Sequence, residues 1–202
     1  MPRRSAPKLD VLTLAPPDAR GECELVCDAG HFRRIVLEGI CTAKVSVDIA
    51  TADFKAMLVP RAGGGRGRGN SAESIVSVFR RLAAKGVEIR LLHAGVPSAA
   101  ALLELRKELP ANLVIRRCPR LHAKTVIVDS AGMYLGSANL TGAGLGAKAD
   151  GRRNFEWGVW TRSAGMIEAV LDQFNALWEG QQCESCKRKD VCPVPLEEPA
   201  LL

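Results

Sequence analysis

The chain has 202 residues, 47% hydrophobic and 25% charged, with a formal net charge of +6 and a pI near 9.1. This is the composition of a globular domain long enough to bury a substantial core, and it excludes a disordered chain. No apolar run approaches the ~20 residues of a bilayer-spanning helix. The basic start Met1-Pro-Arg-Arg-Ser-Ala-Pro-Lys8 has no apolar stretch behind it, so a secretory signal is not expected; the reading is a cytoplasmic protein without a membrane partner.

Residues 1–27 contain proline and little periodicity and read as an N-terminal arm. From Asp28 the spacing becomes helical, with Phe32, Ile35, Val36, Gly39 and Ile40 on one face. Lys44 to Ala50 alternates as a strand that puts Val45, Val47 and Ile49 on one side. Arg61 to Asn70 reads RAGGGRGRGN, a flexible basic loop that either touches a nucleic-acid backbone or is merely a connection. Asn70 followed by Glu73 marks a helix start, and Ile75, Val76, Phe79, Leu82 and Ala83 form its stripe before Gly86 ends it.

Val87–Leu92 reads as a short buried strand, Ser98–Leu109 as a helix closed by Pro110, and Leu113–Arg116 as another strand. A strand follows from Leu121 to Val128, turns at Asp129-Ser-Ala-Gly132 and returns through Tyr134 and Leu135. Phe155–Thr161 is a further strand. Ser163–Trp178 is an amphipathic helix with Met166, Ile167, Val170, Leu171, Phe174, Leu177 and Trp178 on its apolar face. Strands alternating with helices, then a hairpin, predict an α/β sandwich with a mixed central sheet flanked by helices.

The most informative segment is His122-Ala-Lys124-Thr-Val-Ile-Val-Asp129 followed by Gly136-Ser137-Ala138-Asn139. Strand alternation puts the His122 imidazole and the Lys124 ammonium on one face. A nitrogen nucleophile, a cation, a hydroxyl and an amide together suit a phosphodiester. The pattern H-x-K-x4-D-x6-G-S-x-N resembles the signature of the phospholipase D superfamily at every position, and Asn154-Phe-Glu156 resembles that family's N-x-E element. The likeness extends over roughly Phe32 to Trp178, which makes residues 28–180 the expected phospholipase D-like catalytic domain and residues 181–202 a C-terminal tail.

The resemblance implies a phosphodiester hydrolase acting through a phosphohistidine. A neutral imidazole is abundant near pH 7 without metal activation, so no cofactor is expected for catalysis. In the family one histidine attacks and a second, from a facing motif, protonates the leaving oxygen and then activates water. This chain has one motif, so the resemblance implies a homodimer with the second histidine supplied by the partner. His122 becomes nucleophile or acid/base. Lys124 and Asn139 bind the non-bridging oxygens with Ser137 in support, and Glu156 orients the imidazole. Asp129, at the strand end, suits a structural role better than a chemical one. His31, read as solvent-facing, and His93, read as packed or hydrogen-bonded at a strand end, are given no chemical part.

Seven cysteines in a chain expected in a reducing compartment are better read as metal ligands or buried residues than as disulfides. Cys183-x2-Cys186-x5-Cys192-Pro193 can clasp one centre. It resembles the C-terminal cysteines of iron–sulfur nucleases of the RecB-like kind, in which an earlier cysteine completes the set; Cys23 and Cys27 are the candidates for that place. The spacing leaves a structural zinc and a 4Fe–4S cluster both open. Cys41 and Cys118 fall within predicted elements and read as core.

The expected activity is a metal-independent endonuclease, with a nucleic acid (DNA ahead of RNA) as partner and further proteins supplying specificity. A phospholipid-acting enzyme of the same superfamily and a non-catalytic nucleic-acid-binding module are the alternatives.

Overall fold

The computed structural model describes residues 23–61 and 72–197. Most of the arm (1–22), nine residues of the glycine–arginine loop (62–70, Asn70 among them), Ser71 and the last five residues lie outside the described part. The strands are β1 (Cys23–Cys27), β2 (Ser46–Thr51), β3 (Leu58–Pro60), β4 (Ala72–Ser74), β5 (Glu88–His93), β6 (Leu113–Arg117), β7 (Thr125–Val128), β8 (Gly132–Gly136) and β9 (Trp157–Thr161). The α-helices are α1 (Ile75–Ala83), α2 (Ala99–Leu105) and α3 (Ala164–Trp178).

Seven strands form one sheet in the order β1-β9-β8-β7-β2-β5-β6. The pairs β2–β5 and β5–β6 are parallel, as a strand–helix–strand crossover requires, and the remaining pairs are antiparallel. The expected mixed α/β sheet is thus observed. Val47 and Ile49 of β2, Ile89 and Leu91 of β5, and Leu113 and Ile115 of β6 point to one face, where α1 supplies Ile75, Val76, Phe79 and Leu82. On the other face α3 buries Ile167 against Ile127 and Met133, and Phe174 and Trp178 against Ala50, Leu92 and Leu121. Helices therefore cover both faces, and β2 is buried on both.

The α3 face also carries charge. Arg90 pairs with Asp48 at 2.5 Å, donates to the Asn175 side chain at 2.9 Å, and lies over the rings of Phe174 and Trp178. The guanidinium head is satisfied by that pairing while its plane packs on aromatic carbon.

Several sequence expectations shift. Cys23–Cys27, expected in the arm, is the edge strand β1, paired along its length with β9. The helix expected from Asp28 is a widely wound turn over Phe32–Leu37, with the Glu38 amide donating to the Arg33 carbonyl five residues back. Val45 precedes β2 and is exposed. The helix expected near Asn70 starts at Ile75, where Ser74 accepts from the Ser77 amide; Glu73 lies instead in β4, paired with Arg81 at 2.9 Å. The helix expected over Ser98–Leu109 ends at Leu105.

Candidate active site

The antiparallel pairing of β2 with β7, β7 with β8 and β8 with β9 brings four strand ends together. They are the C-terminal ends of β2 and β8 and the N-terminal ends of β7 and β9. The motif residues lie on the connections leaving these ends. His122 and Lys124 precede β7 rather than sitting within it, because regular strand begins only at Thr125. The ladder reaches back one residue, with the Gly136 amide donating to the Lys124 carbonyl at 3.2 Å.

Lys124 curls back over its neighbour. Its Nζ donates to the His122 carbonyl at 2.8 Å and lies 3.2 Å from Nε2 and 3.3 Å from Nδ1 of the exposed imidazole. Partial burial lowers the Lys124 pKa from its ordinary value, while the Glu156 carboxylate acts the other way. The two residue types that the spacing paired are therefore in contact.

Ser137 and Glu156 are joined directly, the hydroxyl donating to the carboxylate Oε2. Asn154 donates to the other carboxylate oxygen at 2.9 Å. The Ser137 hydroxyl also accepts from the Trp157 amide at 3.1 Å. The Glu156 backbone is tied to Asp28 in both directions, its amide donating to the carboxylate and its carbonyl accepting from the amide. Among the described residues no hydrogen bond joins Glu156 to His122, so within one chain the carboxylate fixes Ser137 rather than the imidazole.

Asn139 is oriented through its Oδ1, which accepts from the Asp53 amide at 3.1 Å. Buried Thr51 stands behind it, donating to the Asp53 carbonyl at 2.8 Å and accepting from the Leu140 amide at 2.9 Å. With Oδ1 committed to this turn, the Nδ2 donor is the end of the amide left for an anion. Asp129 does structural work at the opposite end of the sheet, with φ of +54°. Its carboxylate gathers the amides of Lys44, Val45 and Ser46 at 2.8–3.1 Å as the chain enters β2.

Beneath the Gly136–Asn139 turn lies a buried relay that the sequence reading missed. Tyr134, the only tyrosine, accepts from the Ala138 amide at 3.1 Å, and its hydroxyl is 3.0 Å from His31 Nε2. His31 Nδ1 is 2.9 Å from the Asp28 carbonyl. One proton arrangement satisfies all three contacts: Tyr134 donates to Nε2, and Nδ1–H donates to Asp28. Burial lowers the His31 pKa and pushes that of Tyr134 up to about 12, so both are neutral near pH 7. His31, expected at the solvent, is fully buried. Gly136 and Gly158 admit the tyrosine side chain, since a Cβ on Gly136 would collide with its hydroxyl and one on Gly158 with its ring. His93 is buried as expected, its Nδ1 2.7 Å from the Gly95 carbonyl.

The cysteines divide differently from the sequence expectation. Cys23 and Cys27 sit on β1, at the edge of the sheet opposite β6, from which Cys118 follows. Six interstrand steps of about 4.8 Å put roughly 29 Å between those edges. Cys23 donates to the Thr161 hydroxyl, and both β1 thiols are exposed. Neither can join Cys183, Cys186 and Cys192. Cys41 packs against the main core.

The family described as "Cardiolipin synthase, PLD-like domain" matches residues 36–178. This chain belongs to the phospholipase D superfamily. Its fold is similar to that of Nuc from Salmonella typhimurium, titled a phospholipase D family member, at 20% identity and a TM-score of 0.56, covering 78% of this chain and 93% of Nuc. NucT from Helicobacter pylori is similar at 17% identity and a TM-score of 0.54, with 78% and 97% covered. Phosphatidylserine synthase from Haemophilus influenzae matches at 15% identity and a TM-score of 0.54, with 77% of this chain but only 36% of that one covered. Among curated proteins nothing matches. Within this phosphodiesterase superfamily the matched part of the chain spans nearly all of Nuc and NucT, and the sequence carries one H-x-K motif. Among the described residues no helix is long and apolar enough to cross a membrane.

Proposed function

We propose that this protein is a metal-independent endonuclease that acts through a phosphohistidine in a homodimer. The observation that carries the reading is the single complete set of His122, Lys124, Ser137, Asn139 and Glu156 gathered at one end of the sheet. His122 attacks phosphorus, forming an N–P bond as the P–O bond to the leaving strand breaks. The second subunit's imidazole protonates that oxygen, then takes a proton from water as water breaks the N–P bond. The ammonium and amide hold the non-bridging oxygens throughout.

Two features support the partners. The row Leu25–Val159–Leu135 crosses β1, β9 and β8 in register and adjoins Trp157, itself next to Ser137. Phe155 and Trp157 are 89% and 68% exposed, and Leu25 is exposed as well. Such an apolar patch beside the site suits a second copy that brings the second imidazole. The formal net charge of +6 suits a polyanion.

Purified protein incubated in EDTA with labelled single- and double-stranded DNA and RNA, and in parallel with phospholipid vesicles, tests the reading. The expected result is endonucleolytic cleavage that His122→Ala abolishes. Lipid hydrolysis with every nucleic acid intact, or cleavage restored only by Mg²⁺, would overturn it.

A further inference from the structure

The segment after α3 is not a free tail. Arg116 donates to the Trp178 carbonyl at 2.8 Å where the segment begins. Near its end, the Arg117 amide donates to the Glu197 carbonyl at 3.0 Å and the Arg117 guanidinium pairs with the Glu197 carboxylate at 2.5 Å. Residues 179–197 thus leave β6 and return to it, yet contain only turns, and no residue among them is fully buried. Apolar burial and regular hydrogen bonding are both too sparse to hold such a segment in one shape. The side chains it does turn inward include three thiols.

Cys183, Cys186 and Cys192 line one cavity of about 390 Å³, and Cys118 lines it from the other side, on the loop between β6 and β7. Arg120 and Arg188 line it as well. The same cavity wall includes His122 and Ala123, four and five residues beyond Cys118.

We propose that Cys118, Cys183, Cys186 and Cys192 form a four-thiolate site for a metal centre that staples the C-terminal segment to the loop carrying His122. Cys118 takes the place expected of Cys23 or Cys27. Binding deprotonates the four thiols, and Arg120 and Arg188 offset the resulting negative charge. A donor set of sulfur alone selects zinc or an iron–sulfur cluster. Among the described residues no group of three donors is placed to hold a metal ion, so the four sulfurs must close in on the centre they bind. Four thiols spread around a roomy cavity suit the larger body of a 4Fe–4S cluster. The centre takes no part in the phosphodiester chemistry. It fixes the segment from Cys118 to Lys124, and so positions the nucleophile.

The full-length protein, purified anaerobically, is assayed for iron, sulfide and zinc, and its native thiols are alkylated and mapped by mass spectrometry. We expect about four iron and four sulfide per chain. Cys118, Cys183, Cys186 and Cys192 should be protected at least tenfold relative to Cys23 and Cys27, and the protection should vanish once the metal is chelated. The double variant Cys23→Ser/Cys27→Ser should keep its metal and Cys118→Ser should lose it; the alkylation pattern of the wild type decides the matter even where a variant fails to fold. Hydrogen exchange over residues 119–124 should rise at least severalfold on metal removal. One zinc per chain without sulfide would keep the four-thiolate site and overturn the cluster. Metal-free protein, Cys118 reacting as fast as Cys23, or unchanged exchange in the loop would overturn the staple.

Discussion

Tyr134→Phe removes one oxygen from the centre of the relay and leaves the ring that fills the space at Gly158. Two buried groups lose their partner: the Ala138 amide, 3.1 Å from the hydroxyl, and His31 Nε2, 3.0 Å from it. Each orphaned group costs about 1–3 kcal/mol, so the pair should cost about 2–6 kcal/mol, a large share of the ~5–15 kcal/mol that holds a domain folded. For a chain of this size that is a fall in Tm of about 4–24 °C. Urea unfolding measured by circular dichroism should show a lower midpoint at an unchanged slope, because the surface exposed on unfolding is the same. Since Ala138 lies between Ser137 and Asn139, kcat on a phosphodiester substrate should fall more than KM rises. An unfolding free energy within about 0.5 kcal/mol of wild type, below the net worth of one hydrogen bond, would mean that the two orphaned groups bond water equally well, and that the relay does not hold the turn.

Gly158→Ala forces a Cβ into the Tyr134 ring and should destabilise by at least about 2 kcal/mol, read in the same urea titration. His31 and His93 are both held below the ordinary imidazole pKa by burial. The unfolded chain therefore takes up protons near pH 6.5 that the folded one refuses, so stability is complete above that pH and falls as pH drops below it. The slope is at most about 1.4 kcal/mol per pH unit for each histidine; a flat unfolding free energy between pH 7 and 5 would contradict the assignment. Asp129→Asn weakens the bonds to the amides of residues 44–46 and should cost about 1–2 kcal/mol without the total loss of turnover expected of His122→Ala. Trp157→Arg should shift the protein toward monomer in light scattering and lower activity with it; an active monomer would remove the patch from the account.

Much of the site was legible because its chemistry is local in the chain. His122, Lys124, Ser137 and Asn139 lie within eighteen residues, and a strand, a tight turn and a return strand bring them together with no information from elsewhere. What escaped depends on distant partners. The segment Cys23–Cys27 alternates weakly, and only its pairing with β9, more than 130 residues later, makes it a strand. His31 reads as solvent-facing on a wheel of 3.6 residues per turn, but the wide winding after it changes the angular spacing. Glu73 passes for the first turn of a helix, whereas the helix is capped by Ser74 and the carboxylate pairs with Arg81. Cys118 looks like core because it follows an apolar strand; its kinship with the C-terminal thiols emerges only when the last segment folds back onto β6.

The central claim, that the His122 imidazole attacks phosphorus, is tested most directly by trapping the intermediate. Protein in EDTA is mixed with DNA labelled internally with radioactive phosphate, quenched in alkaline detergent within the first turnovers, and resolved by electrophoresis and peptide mapping. Alkali is chosen because phosphohistidine survives it and is lost in acid. The account predicts a labelled protein band whose adduct maps to His122 and is missing from His122→Ala. Cleavage at full rate with no label on the protein, or label persisting in His122→Ala, would contradict it.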